Sequence, residues 1–166
     1  LYRGKAQSVR WVGDFTDWQS GPALEGQRVG QSDLWVAYTT LPADARVEYR
    51  VIVDSKESAV DPANPLQQWG GFGPNSVVAM PAYSFPQDVL PREGVASGEL
   101  SKPITMDSAQ LGYRVNYQVY TPAGYDALRE LPVLYVTDAH EYIDERMGNL
   151  PTVLDNLIAD GRIEPI

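Results

Sequence analysis

The chain has 166 residues, with 13 Lys and Arg against 22 Asp and Glu, a net charge of −9, one His and no Cys. That balance repels a phosphate backbone and no basic patch offsets it, so neither nucleic acid nor an anionic membrane surface is expected as a partner; no apolar run reaches about 18 residues, so no segment reads as a membrane span. Without Cys there are no disulfides, thiolate zinc sites or Cys nucleophiles, and the lone His140 rules out a multi-histidine metal site, so neither metal nor cofactor is expected.

The first residues, Leu1-Tyr2-Arg3-Gly4-Lys5, have no apolar stretch behind them and no initiator Met. They read as a processed or shortened start, with no visible signal peptide. From residue 8 to about 83 the pattern has period two. Val9 and Trp11 alternate with Arg10 and Val12; Leu34, Val36 and Tyr38 with Trp35, Ala37 and Thr39; Val47, Tyr49, Val51 and Val53 with Glu48, Arg50 and Ile52. A last short run covers 76–80. Turn chemistry separates these runs at Gly13-Asp14, Ser20-Gly21-Pro22, Leu41-Pro42-Ala43-Asp44 and Asp54-Ser55-Lys56. Short β-branched and aromatic strands with no helix among them predict an antiparallel sandwich.

Between 84 and 103, Pro86, Pro91, Gly94, Gly98 and Pro103 punctuate a stretch with little periodicity, which reads as a connection between domains. Strands are then predicted at 104–106 and 111–120. Leu131–Val136 is nearly all apolar, the pattern of a strand buried on both faces. Leu150, Val153, Leu154, Leu157 and Ile158 form one apolar stripe at helical period, with Asn149 as N-cap, Pro151 in the first turn and Gly161 as stop signal.

Two local signatures go beyond pattern. Val12-Gly13-Asp14-Phe15-Thr16-Asp17-Trp18, then Asp61-Pro62-Ala63-Asn64-Pro65, then Asn75 to Pro81 together resemble the early-set immunoglobulin-like module related to family 48 carbohydrate-binding modules. Tyr117 to Asp126, Leu131 to Asp138 and Leu154 to Pro165 resemble the start of the putative-esterase (esterase D-like) branch of the α/β-hydrolases. That branch holds enterochelin esterases, feruloyl and acetyl-xylan esterases and mycolyltransferases. The resemblance implies an immunoglobulin-like sandwich at 1–90, a linker at 91–103 and the first strands and first helix of an α/β-hydrolase domain at 104–166. It implies a siderophore, feruloyl or acetyl ester as substrate, the rest of an esterase domain as partner, and a bacterial, secreted or periplasmic protein.

The chemistry of that family needs a Ser on a G-x-S-x-G turn, then an acid, then a His, in chain order. No serine of this chain has the flanking glycines, and all of them precede 131–136; His140 comes too early. The nucleophile, acid and base are therefore expected outside this chain. One oxyanion donor of the fold comes from the loop after an early strand. The resemblance places that loop at Thr137-Asp138-Ala139-His140 and makes the backbone N–H of His140 the candidate, although relatives carry Asp-Gly where Asp138-Ala139 stand here.

Trp11, Trp18 and Trp35 are expected in the core. Gln67-Gln68-Trp69-Gly70-Gly71-Phe72-Gly73 reads as a glycine-rich loop, in which Trp69 and Phe72 are candidates to contact a ligand or the adjoining esterase domain. No Lys or helix start follows, so it is not a phosphate loop. The acidic groups Asp138/Glu141/Asp144/Glu145 and Asp54/Glu57/Asp61 read as solvated loops. The alternative to the esterase reading is a module that binds polysaccharide or another chain without catalysis.

Overall fold

The computed structural model describes residues 1–18, 21–56 and 58–166, so Ser20 of the second turn cluster and Glu57 of the second acidic group lie outside the described residues. The chain divides into two compact units, Leu1–Phe85 and Pro86–Ile166. The first is built from short β-strands, and the second from short strands and two helices joined by irregular chain. Among the described residues no helix is long and apolar enough to cross a membrane.

The first unit runs through β1 (Tyr2–Arg3), β2 (Val9–Gly13), β3 (Leu24–Glu25), β4 (Gln27–Arg28), β5 (Leu34–Val36), β6 (Arg46–Val53), β7 (Gln67–Gly70) and β8 (Gly73–Ala79). They form two antiparallel sheets, ordered β1-β5-β4 and β3-β2-β6-β8-β7. Residues directly opposite on paired strands share a face. Trp11 stands opposite Val51, and Val9 opposite Val53, so alternate residues of β2 and β6 project together. Val9, Trp11, Tyr49 and Val51 from the larger sheet meet Trp35 from the smaller one in a single buried cluster. Each such side chain stabilises the unit by roughly 1.5–3 kcal/mol through burial. The other face of the larger sheet carries the buried Val12 and Val77 beside a polar network: Arg46 donates to Glu48 at 3.3 Å and to Gln68 at 2.7 Å, and Asn75 to Glu48 at 2.9 Å.

The first two of the three motifs that carried the first resemblance are used up in holding this unit together. A side chain at Gly13 would run into the carbonyl oxygen of Glu48 on the neighbouring strand, so only glycine fits. One Asp14 oxygen accepts the Glu48 N–H at 2.7 Å, and the other accepts the Trp18 indole N–H at 2.9 Å. Trp18 itself takes φ 51, is half-buried and stays outside the core cluster, unlike Trp11 and Trp35. The reason is local: its N–H is tied to Gly13 O at 3.0 Å and its ring to Asp14, which fixes it over the turn.

In the second motif Asp61 is 4% exposed. Its carboxylate accepts the Tyr49 hydroxyl at 2.8 Å and the Ala63 N–H at 2.9 Å, while its own N–H donates to Ser76 Oγ at 2.7 Å. Asn64 donates to the Tyr49 hydroxyl oxygen at 3.0 Å and to Val77 O at 2.8 Å. A buried carboxylate survives only with such partners. Burial, opposed in part by Asn64 and reinforced by Asp61, pushes the Tyr49 hydroxyl up to about 12.

The second unit holds β9 (Glu99–Leu100), β10 (Ile104–Ser108), β11 (Tyr113–Tyr117), β12 (Tyr120–Thr121), α1 (Ala139–Ile143) and α2 (Leu150–Ala159). β10 and β11 pair over five residues each, and β9 pairs with β12. The strand expected over 111–120 is broken at Gln118 and Val119, where Val119 N–H turns to Ser101 Oγ and Gln118 Nε2 to Ser101 O.

The strand expected over Leu131–Val136 does not form. Among the described residues nothing pairs with it, and Val133, Leu134 and Tyr135 are 70%, 53% and 90% exposed. A central strand owes its geometry to ladders on both edges, and no neighbour supplies one here.

The α2 helix forms as its stripe predicts. Gly161 takes φ 64, its N–H reaches Ile158 O at 3.0 Å and the Arg162 N–H reaches Leu157 O at 2.9 Å, which is the Schellman closure of a helix end. Asn149 holds the N-cap position, with φ 44, but its side chain makes no cap bond. Within the stripe only Leu154 is buried, at 8%; the most buried residue of the helix is Asn156, at 1%.

The stretch that precedes β9 is bonded to α2. Asn156 Nδ2 donates to Asp88 O at 2.7 Å and Leu90 O at 2.9 Å, and Asn149 Nδ2 to Val89 O at 2.8 Å. Arg92 donates to Asn156 Oδ1 at 2.9 Å and to both Asp160 oxygens at 2.8 and 3.1 Å. Arg162 closes on Asp88 at 2.7 Å. Residues 88–98 therefore form a strap held along α2.

Candidate functional site

The loop 137–149 contains the one imidazole of the chain. Asp138 enters it with φ 53 and Asn149 leaves it with φ 44, both in the left-handed region that few non-glycine residues occupy. Between them α1 makes little more than a single turn, so Thr137-Asp138-Ala139-His140 is the entry to a helix rather than an open loop. The Glu141 N–H reaches back to Asp138 O at 2.9 Å, and the Gly148 N–H to Glu141 O at 3.0 Å. Asp144 O accepts the N–H groups of Met147 at 2.9 Å and Asn149 at 3.2 Å. A side chain at Gly148 would meet the Tyr142 Cα at 2.9 Å, so the return path passes close over α1.

His140 is the second residue of that turn. Its N–H lies among the first-turn donors, which have no intrahelical acceptor. Its side chain is 72% exposed, with Nε2 3.9 Å from Glu141 Oε1. Among the acidic residues around it, Asp144 is engaged by Arg146, whose guanidinium donates at 3.1 and 2.8 Å. That hydrogen bonding holds the Asp144 carboxyl down at about 2. Among the described residues no group of three or more His, Asp or Glu is arranged to hold a metal ion. In the other acidic set, Asp54 caps the N–H groups of Gln7 and Ser8 at 2.6 and 3.0 Å, and Asp61 is the buried carboxylate described above.

Of the two aromatic candidates only Phe72 sits in a loop. Trp69 belongs to β7, and β7 and β8 form a hairpin in register from Gln67↔Ser76 to Gly70↔Gly73. Gly71 and Phe72 are its two-residue connection, and Gly73 takes φ 91 to close it. Phe72 at the tip is fully exposed, while Trp69 is 36% exposed. The glycine-rich composition hid this strand because only Gln67, Gln68 and Trp69 carry side chains before the turn.

A niche in the second unit is lined by Ala96, Tyr120, Ala123, Asp155, Ile158 and Ala159 and measures about 100 Å³. That is small beside the roughly 300–1,000 Å³ of ligand pockets. The Tyr120 hydroxyl donates to Asp155 Oδ1 at 2.6 Å, and the Gly98 N–H donates to the same oxygen at 2.8 Å. Burial and this carboxylate push the Tyr120 hydroxyl well above its ordinary range. Asp155 is thus an anchor between α2, β12 and the strap, a role that the sequence pattern did not reveal.

Residues 108–166 match the putative-esterase family. Among solved structures the chain is similar to the enterobactin esterase of Shigella flexneri crystallised in the presence of enterobactin, with a TM-score of 0.65 and 20% identity, covering 96% of this chain and 46% of that one. It is similar to the ferric enterobactin esterase of Salmonella typhimurium, with a TM-score of 0.63 and 15% identity, over 96% of this chain and 47% of that one. A further structure of the Shigella flexneri enzyme, in the presence of 2,3-di-hydroxy-N-benzoyl-serine, matches at a TM-score of 0.54 and 18% identity over 96% of this chain and 45% of that one. No curated protein matches in sequence. The chain therefore spans less than half the length of these structures, shares their fold over that part, and carries the esterase family's sequence pattern in its C-terminal third.

Proposed function

We propose that this chain is the N-terminal part of a serine carboxylic-ester hydrolase whose substrate is a siderophore ester of the enterobactin kind. In this reading residues 1–90 are an immunoglobulin-like early-set sandwich, 91–103 connect it, and 104–166 open an α/β-hydrolase domain. The observation that carries it is the esterase pattern at 108–166 coinciding with an apolar run, 131–136, that stands exposed and unpaired. An α/β-hydrolase would pair that run on both edges with strands from the rest of its sheet. Similarity to enterobactin esterases favours the siderophore among the esters considered.

The nucleophile, its acid and its base are supplied by the remainder of the domain. The Ser attacks the ester carbonyl while the His takes its proton, and negative charge gathers on the carbonyl oxygen. That oxygen needs two N–H donors, one following the Ser and one from the loop after an early strand. The His140 N–H, in the first turn of α1, fits the second donor. Sequencing the coding DNA past the codon for Ile166 tests the reading. An open frame through G-x-S-x-G to an acid and a His is expected; a stop codon there overturns it. Release of 2,3-dihydroxybenzoylserine from enterobactin by the full-length product, with slower turnover of feruloyl esters, tests the substrate.

The fully exposed Phe72 favours a second reading, a module that retains polysaccharide through an aromatic tip. Loss of retention on glycan gels in Phe72→Ala supports it; no retention of the parent chain on any glycan sinks it.

A further inference from the structure

One residue of the loop 137–149, Asn149, bonds the strap. Asn149 and Asn156 stand two turns apart on the same face of α2, both nearly inaccessible at 8% and 1%. Each spends its amide N–H on strap carbonyls, and each has its amide oxygen occupied, by Thr152 at 3.0 Å and by Arg92 at 2.9 Å. Buried amides with every partner in place hold two segments in one register. Their backbones differ. Asn156 lies within regular helix, whereas Asn149 sits in the left-handed region and ends the loop, its N–H bonded to Asp144 O. A strained backbone persists only where its surroundings over-determine it.

We infer that Asn149 is a positioning residue: by bonding the strap at Val89 while ending the loop in a left-handed conformation, it sets where the turn bearing His140 stands. The consequence for ester hydrolysis rests on the reading above; the coupling between strap and loop does not. Asn156, equally buried but without the backbone role, holds the strap alone.

Hydrogen exchange on the 166-residue chain tests the coupling. Asn149→Asp keeps the size of the side chain and its tolerance of the left-handed region but removes the donor to Val89. It should speed exchange of the Glu141 and Gly148 amides, which close the loop, about tenfold or more. Asn156→Ala should loosen 88–98 and leave those two amides within about twofold. Asn149→Gly, which keeps the backbone freedom without any side chain, should behave like Asn149→Asp and serves where that variant does not fold. Equal loosening of loop and strap in both variants, or no change at Glu141 and Gly148 in Asn149→Asp, overturns the inference.

In the full-length protein, with 4-nitrophenyl butyrate as probe, Asn149→Asp should lower kcat about tenfold or more with KM nearly unchanged, because a displaced donor weakens only the transition state. Asn156→Ala should lower Tm without that split. A full-length parent that hydrolyses no ester defeats the proposed function and leaves the exchange result standing. An active parent whose Asn149→Asp variant keeps its kcat defeats the positioning role itself.

Discussion

The two units are held together by different physics. The first buries two tryptophans, a tyrosine and two valines in one cluster between sheets, the largest apolar payload in the chain. Among the described residues the second buries only Leu154 and Pro122 of its apolar side chains, and ties its helix to the rest through Asn149, Asn156, Asp155, Asp160 and Arg92. Its strands β10 and β11 and the run 131–136 meanwhile leave Met106, Tyr113 and Leu134 about half exposed or more. Hydrogen bonds hold register well and add little net stability, about 1 kcal/mol each, whereas apolar burial supplies the driving force. The first unit has what an independent domain needs; the second has the register of a domain without its core.

The comparison breaks most visibly at Trp11. Trp11→Ala should destabilise the first unit by about 3–5 kcal/mol, read by urea unfolding with hydrogen exchange resolved along the chain. Exchange in 86–166 should be unchanged; if both units loosen together, they are not independent. Asn156→Ala strips donors from the Asp88 and Leu90 carbonyls and an acceptor from Arg92, and should cost about 1–3 kcal/mol. Proteolytic nicking within 88–98 is the measurement, and an intact strap would show that the apolar contacts of α2 suffice.

Alkali should weaken both units, since the Tyr120 hydroxyl of the second is also held above its ordinary range. The Tyr49 hydroxyl sits at about 12 in the folded chain and at 10.0 when free. Its neutral form favours folding, so the first unit keeps full stability below pH 10 and loses it as pH rises from 10 to 12, by at most about 3 kcal/mol. Tyr49→Phe should remove that pH dependence in thermal melts while costing the Asp61 hydrogen bond at every pH. Gly161→Ala, placing a side chain at φ 64, should cost about 1 kcal/mol in Tm experiments by straining the end of α2. Phe72→Ser should change stability by less than about 0.5 kcal/mol, since the tip touches nothing it must hold.

Much of the first unit was legible in its residues. Period-two alternation located β2, β5 and β6, whose alternate residues face the core cluster, and a short β-rich run located β8. The stripe, Pro151 and Gly161 located α2 within a residue or two. The signals that failed are those whose meaning depends on partners. Leu131–Val136 has the composition of a central strand, but a strand is made by neighbours. Gln67–Gly70 has the composition of a loop, but it is paired by β8. Trp18 looks like core, but local hydrogen bonds to Gly13 and Asp14 decide where it points.

By itself the sequence determined the helix with its ends, the alternation that makes a two-sheet unit, the absence of thiolate and multi-histidine chemistry, and the esterase pattern in the last third. Each follows from composition or from contacts within a few residues, which a linear pattern encodes. Only the tertiary structure decided that Asp61, Asn149 and Asn156 are buried, that residues 88–98 run along α2, and that the apolar run at 131–136 has no partner among the described residues. Those outcomes rest on pairings between residues tens of positions apart, such as Asn156 with Asp88, and no local pattern carries the energy of a distant pair.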